Sequence, residues 1–368
     1  MTANPLTAPI ERIEASAYTV PTEGPEADGT LTWDATTLVL VRIDAGGATG
    51  IGYTYADAAA AVLIRDRLAP VLYATDAAAI AARWFDMVRV LRNLGRGGLS
   101  AMAVAAVDSA LWDLHAKRLS VSLARLLGPM RASIPVYGSG GFVNQSIEQL
   151  REQLEGWVQQ GFERVKIKVG RDEQADLNRA TEARLAIGQD VKLYVDANGA
   201  YRPKQALRMA ERFAELDVSW FEEPVSSDDL AGLAEVRDRA PPEMLVSAGE
   251  YGFDLPYFRR MLESRAVDAL QADATRCAGV TGFLRVDALC SAFGVPLSSH
   301  TAPSLHLPLV CAAREAVHLE WFHDHARIER MLFDGACVPQ RGRLAYDDAR
   351  PGLGIEFKSK DAECFKTV

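Results

Sequence analysis

The apolar residues of this chain follow two patterns, which change over near Gly128-Pro129. Beyond that point, short apolar runs recur: IPVYG (134–138), RVKIKV (164–169), KLYVD (192–196), VSWFE (218–222), MLVSA (244–248), DALQAD (268–273), VPLSS (295–299) and AVHLE (316–320). Their length and their Val, Leu, Ile and Tyr content predict strands. Amphipathic stretches such as 147–160, 174–187 and 203–216 lie between them and predict helices. Strands separated by helices pair in parallel through right-handed crossovers, and eight such units close into a TIM-type barrel. The first third differs. Residues 36–43 (TTLVLVRI) predict a strand, and the Gly-rich 45–52 (AGGATGIG) a turn into another. Ala58–Ala69 predicts a helix that stops before Pro70, and Ala101–Arg118 a long helix. The expectation is an α/β fold with an α+β capping domain over 1–128 and a barrel domain over 129–335. The polar, Pro/Gly-punctuated tail, 336–368, is expected to pack back on the cap.

Composition narrows the class. With 368 residues, 49% of them apolar, the chain can form a barrel plus a second domain. A net charge of −9 without a basic stripe argues against a nucleic-acid surface. Five scattered cysteines with no CxxC spacing predict reduced, mostly buried thiols and a cytoplasmic setting. No apolar run reaches about 18 residues, so no membrane span is expected, and the N-terminal MTANPLTAPIERIEAS has no apolar core of a signal peptide.

The chemistry sits where the apolar runs end. From Lys168, the residues Asp196, Glu222, Glu250, Asp273, His300 and Glu320 follow at gaps of 28, 26, 28, 23, 27 and 20. A charged group that recurs once per strand-helix unit, at the strand end, points into one shared barrel mouth. A single acid there caps a helix or pairs with a loop cation. Three on successive strands, Asp196, Glu222 and Glu250, cannot all ionise side by side without a cation, and all-oxygen ligation suits Mg²⁺. Asn198 and Glu223 are placed to orient them. Lys166 and Lys168 share one face of their strand, where two ammonium groups are expected to depress each other's pKa and give a base. Asp273 is placed to fix the tautomer of His300. Glu320 can donate a proton only if its pKa is raised.

These residues resemble the enolase superfamily, and within it the mandelate racemase subgroup. The resemblance rests on KIK (166–168), VDANGAY (195–201), WFEEP (220–224), AGE (248–250), QADATRCAGVTG (271–282), SSH (298–300), HLE (318–320) and the cap-to-barrel junction 103–128. It implies a modified (β/α)7β barrel under a capping domain, Mg²⁺ on Asp196, Glu222 and Glu250, and a homo-oligomer. It also implies Lys168 as base on one substrate face, with Lys166 as its neighbour touching the carboxylate. His300 with Asp273 then serves the opposite face, and Glu320 hydrogen-bonds the enolate oxygen. Ala272, Ala278 and Tyr251 depart from the residues common in the family, without removing a reactive group.

The expected substrate is a small carboxylate. Dehydration of an acid sugar to a 2-keto-3-deoxy acid is favoured on the resemblance, with racemisation or epimerisation, and lactone cycloisomerisation, as alternatives. Specificity is expected from cap loops near 22–33 and 53–59, with Glu23, Trp33 and Tyr53 as substrate contacts. Glu23, Glu26 and Asp28 with no cation in that loop make a poor clamp for a second carboxylate, which favours an aldonate. His323, Asp324, His325 and Arg327 are expected in a solvated loop.

Overall fold

The computed structural model describes residues 7–368. The cap opens with three antiparallel strands, β1 (Ile10–Ala27), β2 (Thr32–Ala45) and β3 (Ala48–Tyr55). The long helix Leu99–Arg118 lies on this sheet and is buried along most of its length. Gly52 makes the approach possible, since a Cβ there would lie 2.3 Å from the Ala106 carbonyl oxygen. The expectations at 36–43 and 101–118 fall inside β2 and this helix. The expected stop at Pro70 is corrected. A π-helical turn, Ile64–Leu68, carries the chain into a further helical turn, Ala69–Leu72. Pro70 sits in the first turn of that piece, where its missing N–H leaves nothing unpaired. β1 and the helix Ile80–Val90 were not anticipated.

All eight expected barrel strands form: β4 (Ser133–Gly140), β5 (Arg164–Lys168), β6 (Lys192–Asp196), β7 (Val218–Glu222), β8 (Leu245–Ala248), β9 (Ala269–Ala272), β10 (Leu297–Ser299) and β11 (Ala316–Phe322). They pair in parallel in chain order, and β11 closes on β4 with Leu319 opposite Val136. Seven crossover helices connect them, from Ile147–Gln159 to Pro303–Ala312, giving a (β/α)7β barrel. The register sets Lys168 opposite Asp196 and Asp196 opposite Glu222. Inside the barrel, one residue pair below these charges, Tyr137, Tyr194 and Trp220 form an aromatic floor with His318.

The tail touches both parts. Arg343–Ala345 pairs antiparallel with the start of β4. Leu353 N–H then donates to Asp113 of the long cap helix at 2.7 Å, and Thr367 N–H to the Ala17 carbonyl of β1 at 2.8 Å. Among the described residues no helix is long and apolar enough to cross a membrane. The five cysteines are all free thiols, with Cys364 exposed.

Candidate active site

Seven of the eight barrel strands, β5 to β11, deliver charges to one point. Asp196 and Glu222 are the last residues of β6 and β7, whereas Glu250, Asp273 and His300 stand one or two residues past β8, β9 and β10. Gly249 makes the last step of β8 possible. Its φ is +136°, and a Cβ there would lie 2.1 Å from the Gln271 carbonyl oxygen. Asn198, Glu223 and Thr301 hold left-handed backbone, with φ of +45°, +40° and +50°. Side-chain residues seldom adopt it, and such strain collects at functional sites.

One carboxylate oxygen from each of Asp196, Glu222 and Glu250 lies within 4.8 Å of the others, and all three residues are buried. Glu250 Oε2 is buried with no hydrogen-bond partner, as is Glu223 Oε1 beside it. Burial and Asp196 push the Glu222 carboxyl well up. Burial opposes ionisation of Asp196 too, but Lys168 and Lys166 hold it below the usual carboxylate range. Burial and Glu250 drive Glu223 well up. A cluster that splits its protonation this way, with an orphaned oxygen, fits a hard divalent cation ligated by oxygen alone.

Both lysines are buried at this cluster. Lys166 Nζ lies 2.5 Å from Glu222 Oε1, 2.8 Å from Glu320 Oε1 and 3.4 Å from Asp196 Oδ2. Lys168 Nζ donates to Asp196 Oδ2 at 2.6 Å and Asn198 Oδ1 at 3.1 Å. Their mutual repulsion does not leave either depressed. Burial lowers Lys168 and so does Lys166, but Asp196, with help from Glu250 and Glu222, raises it above its ordinary value. Burial is likewise overcome at Lys166 by Glu222 and Glu320. The lysine-lysine expectation left out the carboxylates facing the pair.

Across the mouth, His300 Nδ1 lies 2.8 Å from Asp273 Oδ2. Burial opposes ionisation of Asp273, yet His300 holds it below the ordinary range. An ionised carboxylate only accepts, so Nδ1 carries the proton. Nε2 is 3.3 Å from Glu250 Oε2. Thr275 N–H and Oγ1 both donate to Asp273 Oδ1 at 2.7 Å, locking it. Glu320 corrects a second expectation. Burial would raise it, but Lys166 and His300 hold it at about 2, and its Oε2 accepts the Thr301 N–H at 2.7 Å. It is an acceptor, not a proton donor.

The mouth opens into a cavity of about 450 Å³ lined on the barrel side by Lys168, Asn198, Glu250, His300 and Glu320. Trp33 lines its cap side and donates from Nε1 to Glu26 Oε2 at 2.9 Å. The other two expected cap contacts lie elsewhere. Tyr53 is fully buried, its hydroxyl 2.6 Å from Glu329 Oε1, and Tyr55, two residues on, lines the cavity. Glu23 is exposed and pairs with His323 Nε2 at 3.1 Å, outside the cavity. The 323–327 segment is no solvated loop. It opens the helix His323–Leu332, where Asp324 is fully buried between Arg327 (2.6 Å) and Thr36 Oγ1 (2.6 Å), and His325 lines the cavity. Gln271, missed in the sequence, donates to Glu222 Oε2 at 2.9 Å from β9, and Trp220 Nε1 does so at 3.0 Å. Both stand two residues from a charged site residue on their own strand, a period-two signal. A separate, more apolar cavity of about 320 Å³ lies between the helices Ile80–Val90 and Gly279–Phe293 and contains none of these charges.

Known proteins match along the whole length. Residues 13–128 match the family described as mandelate racemase/muconate lactonizing enzyme, N-terminal domain, and 149–362 the enolase C-terminal domain-like family. A mandelate racemase/muconate lactonizing enzyme-like protein from Rubrobacter xylanophilus superposes with a TM-score of 0.96 at 49% identity, over 98% of this chain and 100% of that one. A racemase from Streptomyces coelicolor A3(2), solved with bound magnesium, gives 0.92 at 30% identity over 97% and 100%. A 3,6-anhydro-α-L-galactonate cycloisomerase of Streptomyces coelicolor is 32% identical over 94% of this chain and 96% of its own. An arabinonate dehydratase of Saccharolobus solfataricus is 28% identical over 83% of each. The chain belongs to the enolase superfamily, mandelate racemase subgroup; the Streptomyces coelicolor racemase is solved with magnesium, and Asp196, Glu222 and Glu250 could hold such an ion here.

Proposed function

We propose that this enzyme removes the proton next to a carboxylate and dehydrates an acid sugar, an aldonate, to its 2-keto-3-deoxy acid. The observation that carries the reading is the opposed pair of groups. Lys168 borders the acidic trio on the Asp196 side, and His300 Nε2 on the Glu250 side. A substrate carboxylate over the trio would have its α-carbon between them.

Asp196, Glu222 and Glu250 would hold the ion, and bound magnesium supplies electrostatic stabilisation of charge developing on the substrate carboxylate. Lys168 Nζ takes the α-proton as the C–H bond breaks, and the electron pair moves toward the carboxylate. Lys168 must be neutral to act, and Asp196, the group that raises it here, is also a ligand whose charge the ion offsets. Lys166, anchored by Glu320, donates a hydrogen bond to the developing oxyanion. Collapse of the enolate breaks the bond to the β-hydroxyl, which leaves as water with a proton from Nε2 of His300, so the ring must enter this step protonated on both nitrogens. The resulting enol tautomerises to the 2-keto acid. Asn198 steadies Asp196, donating its N–H to Oδ1 at 2.9 Å, and Glu223 is proposed to orient the trio beside it.

An aldonate suits the cavity's cap side, where Asp28, Asp57, Thr36 and Thr37 offer acceptors and hydroxyls to a neutral polyol end. Arg276 also lines the cavity, but it is held by the Glu250 carbonyl at 3.1 Å and lies 3.6 Å from Asp273 Oδ2. Its charge is already shared with Asp273 and with Glu250, whose Oε1 lies 3.5 Å away, which weighs against a second carboxylate there. Racemisation or epimerisation is the second reading, because His300 can instead return a proton to the opposite face. A panel of aldonates and aldarates with Mg²⁺, followed by semicarbazide absorbance, separates them. Keto acid from aldonates is expected. Faster turnover of galactarate than of every aldonate would sink the substrate class, and optical change without keto acid would sink dehydration.

A further inference from the structure

Among the donors of the cavity that the proposed chemistry does not use, His325 is the one held most firmly. His325 begins the helix that follows Glu320's strand, is nine-tenths buried and lines the cavity. Its ring is fixed from two sides, stacked on Tyr55 at 3.4 Å between centroids and edge-on to Phe322 at 5.1 Å. Its Nδ1 accepts the Ala302 N–H at 3.4 Å. A backbone amide only donates, so Nδ1 is unprotonated and the neutral ring carries its proton on Nε2. Burial, reinforced by His300, keeps the imidazole well below its ordinary pKa and therefore neutral. Nε2–H has no partner among the described residues.

We propose that His325 Nε2–H recognises a hydroxyl of the substrate, as a donor set across the cavity from the acceptors Asp28 and Asp57. Asp28 and Asp57, on the cap side of the same cavity, accept from substrate hydroxyls. Only a donor can engage the oxygen lone pairs, so a polyol is held in one orientation. Because Tyr55 belongs to the cap and His325 to the barrel, this contact also requires the two domains to be docked. The inference rests on the proposed acid-sugar reading for its ligand class.

The test is calorimetric titration of the Mg²⁺-loaded enzyme with arabinonate, galactonate and the short monoacid lactate, which lacks the polyol chain. His325→Phe keeps the ring in its slot and removes both nitrogens, and His325→Gln restores a donor. The expected result is about tenfold or greater weakening of both aldonates in His325→Phe, unchanged lactate binding and partial recovery in His325→Gln. Unchanged aldonate affinity, or an equal loss for lactate, overturns the proposal. Wild-type enzyme that binds aldonates without forming keto acid contradicts the dehydratase reading and leaves this one standing. Keto acid formed from an aldonate whose affinity His325→Phe leaves unchanged does the reverse.

Discussion

Two groups of buried carboxylates in this molecule are treated in opposite ways. At the seam between cap and barrel each is fully met. Asp113 accepts the Ile51 and Leu353 N–H groups at 2.8 and 2.7 Å and pairs with Lys117 at 3.0 Å. Asp108 accepts from Thr281 N–H and Oγ1 at 2.8 and 2.7 Å. Glu329 takes the Tyr53 hydroxyl at 2.6 Å and the Ser304 N–H at 2.9 Å. At the barrel mouth, Asp196, Glu222, Glu223, Glu250 and Glu320 crowd around two lysines, and Glu223 Oε1 and Glu250 Oε2 are left without a hydrogen bond. Buried acceptors ordinarily find donors. The same residue type is therefore a strut at the seam and a ligand at the mouth, and unmet capacity distinguishes the two.

The sharpest break of this contrast comes from substitution. Removing a mouth carboxylate should abolish chemistry and spare the fold. Glu250→Gln is expected to lose magnesium binding in calorimetry and lower turnover by about a thousandfold or more, while the metal-free protein melts no lower than wild type because a buried repulsion is relieved. Lys168→Ala should cut α-proton exchange by about a thousandfold, in the range that a general base supplies, with an unchanged circular dichroism spectrum. Removing a seam carboxylate should do the opposite. Asp113→Ala strands two amides and an ammonium, and urea unfolding should show a loss of about 2–4 kcal/mol, with magnesium affinity of the folded protein intact.

The smallest effect is on pH. Burial raises Glu329 from 4.5 to about 7, and Asp108 from 3.8 to about 7. Their folded pKa values exceed the unfolded ones, so the folded state binds protons more tightly. That stability is complete below about pH 4 and is lost as pH rises through 7. The melting temperature should fall by a few degrees between pH 6 and 9, and Glu329→Gln should flatten part of that slope. An equal slope in the variant would remove Glu329 from this role.

Most of the mouth could be read from the sequence because barrel geometry converts a one-dimensional interval into a shared location. From β5 to β11 each strand carries a charged residue within two positions of its end, so Lys168, Asp196, Glu222, Glu250, Asp273, His300 and Glu320 could be assembled with little knowledge of loops. What failed depended on contacts far apart in the chain. Tyr53 and Tyr55 both face the same side of β3 by strand alternation, and only Glu329, 276 residues away, decides which one is core. His325 looked like a solvated residue because nothing local shows that Tyr55 will stack on it. β1 was missed because its 18 residues carry Pro21 and Pro25 and many charges on an exposed face, with a register shift between Pro21 and Glu26. The state of the lysines was misjudged for a related reason, since their own neighbour is adjacent in sequence while the carboxylates that outweigh it come from other strands.

The central claim is that the unmet carboxylates and the two opposed bases together abstract a proton beside a carboxylate. Proton NMR of an aldonate in D₂O with the enzyme and Mg²⁺ tests it most directly. The account predicts loss of the α-proton signal, dependent on magnesium and abolished by Lys168→Ala. Exchange that persists in Lys168→Ala, or that proceeds equally after chelation of the metal, would contradict it.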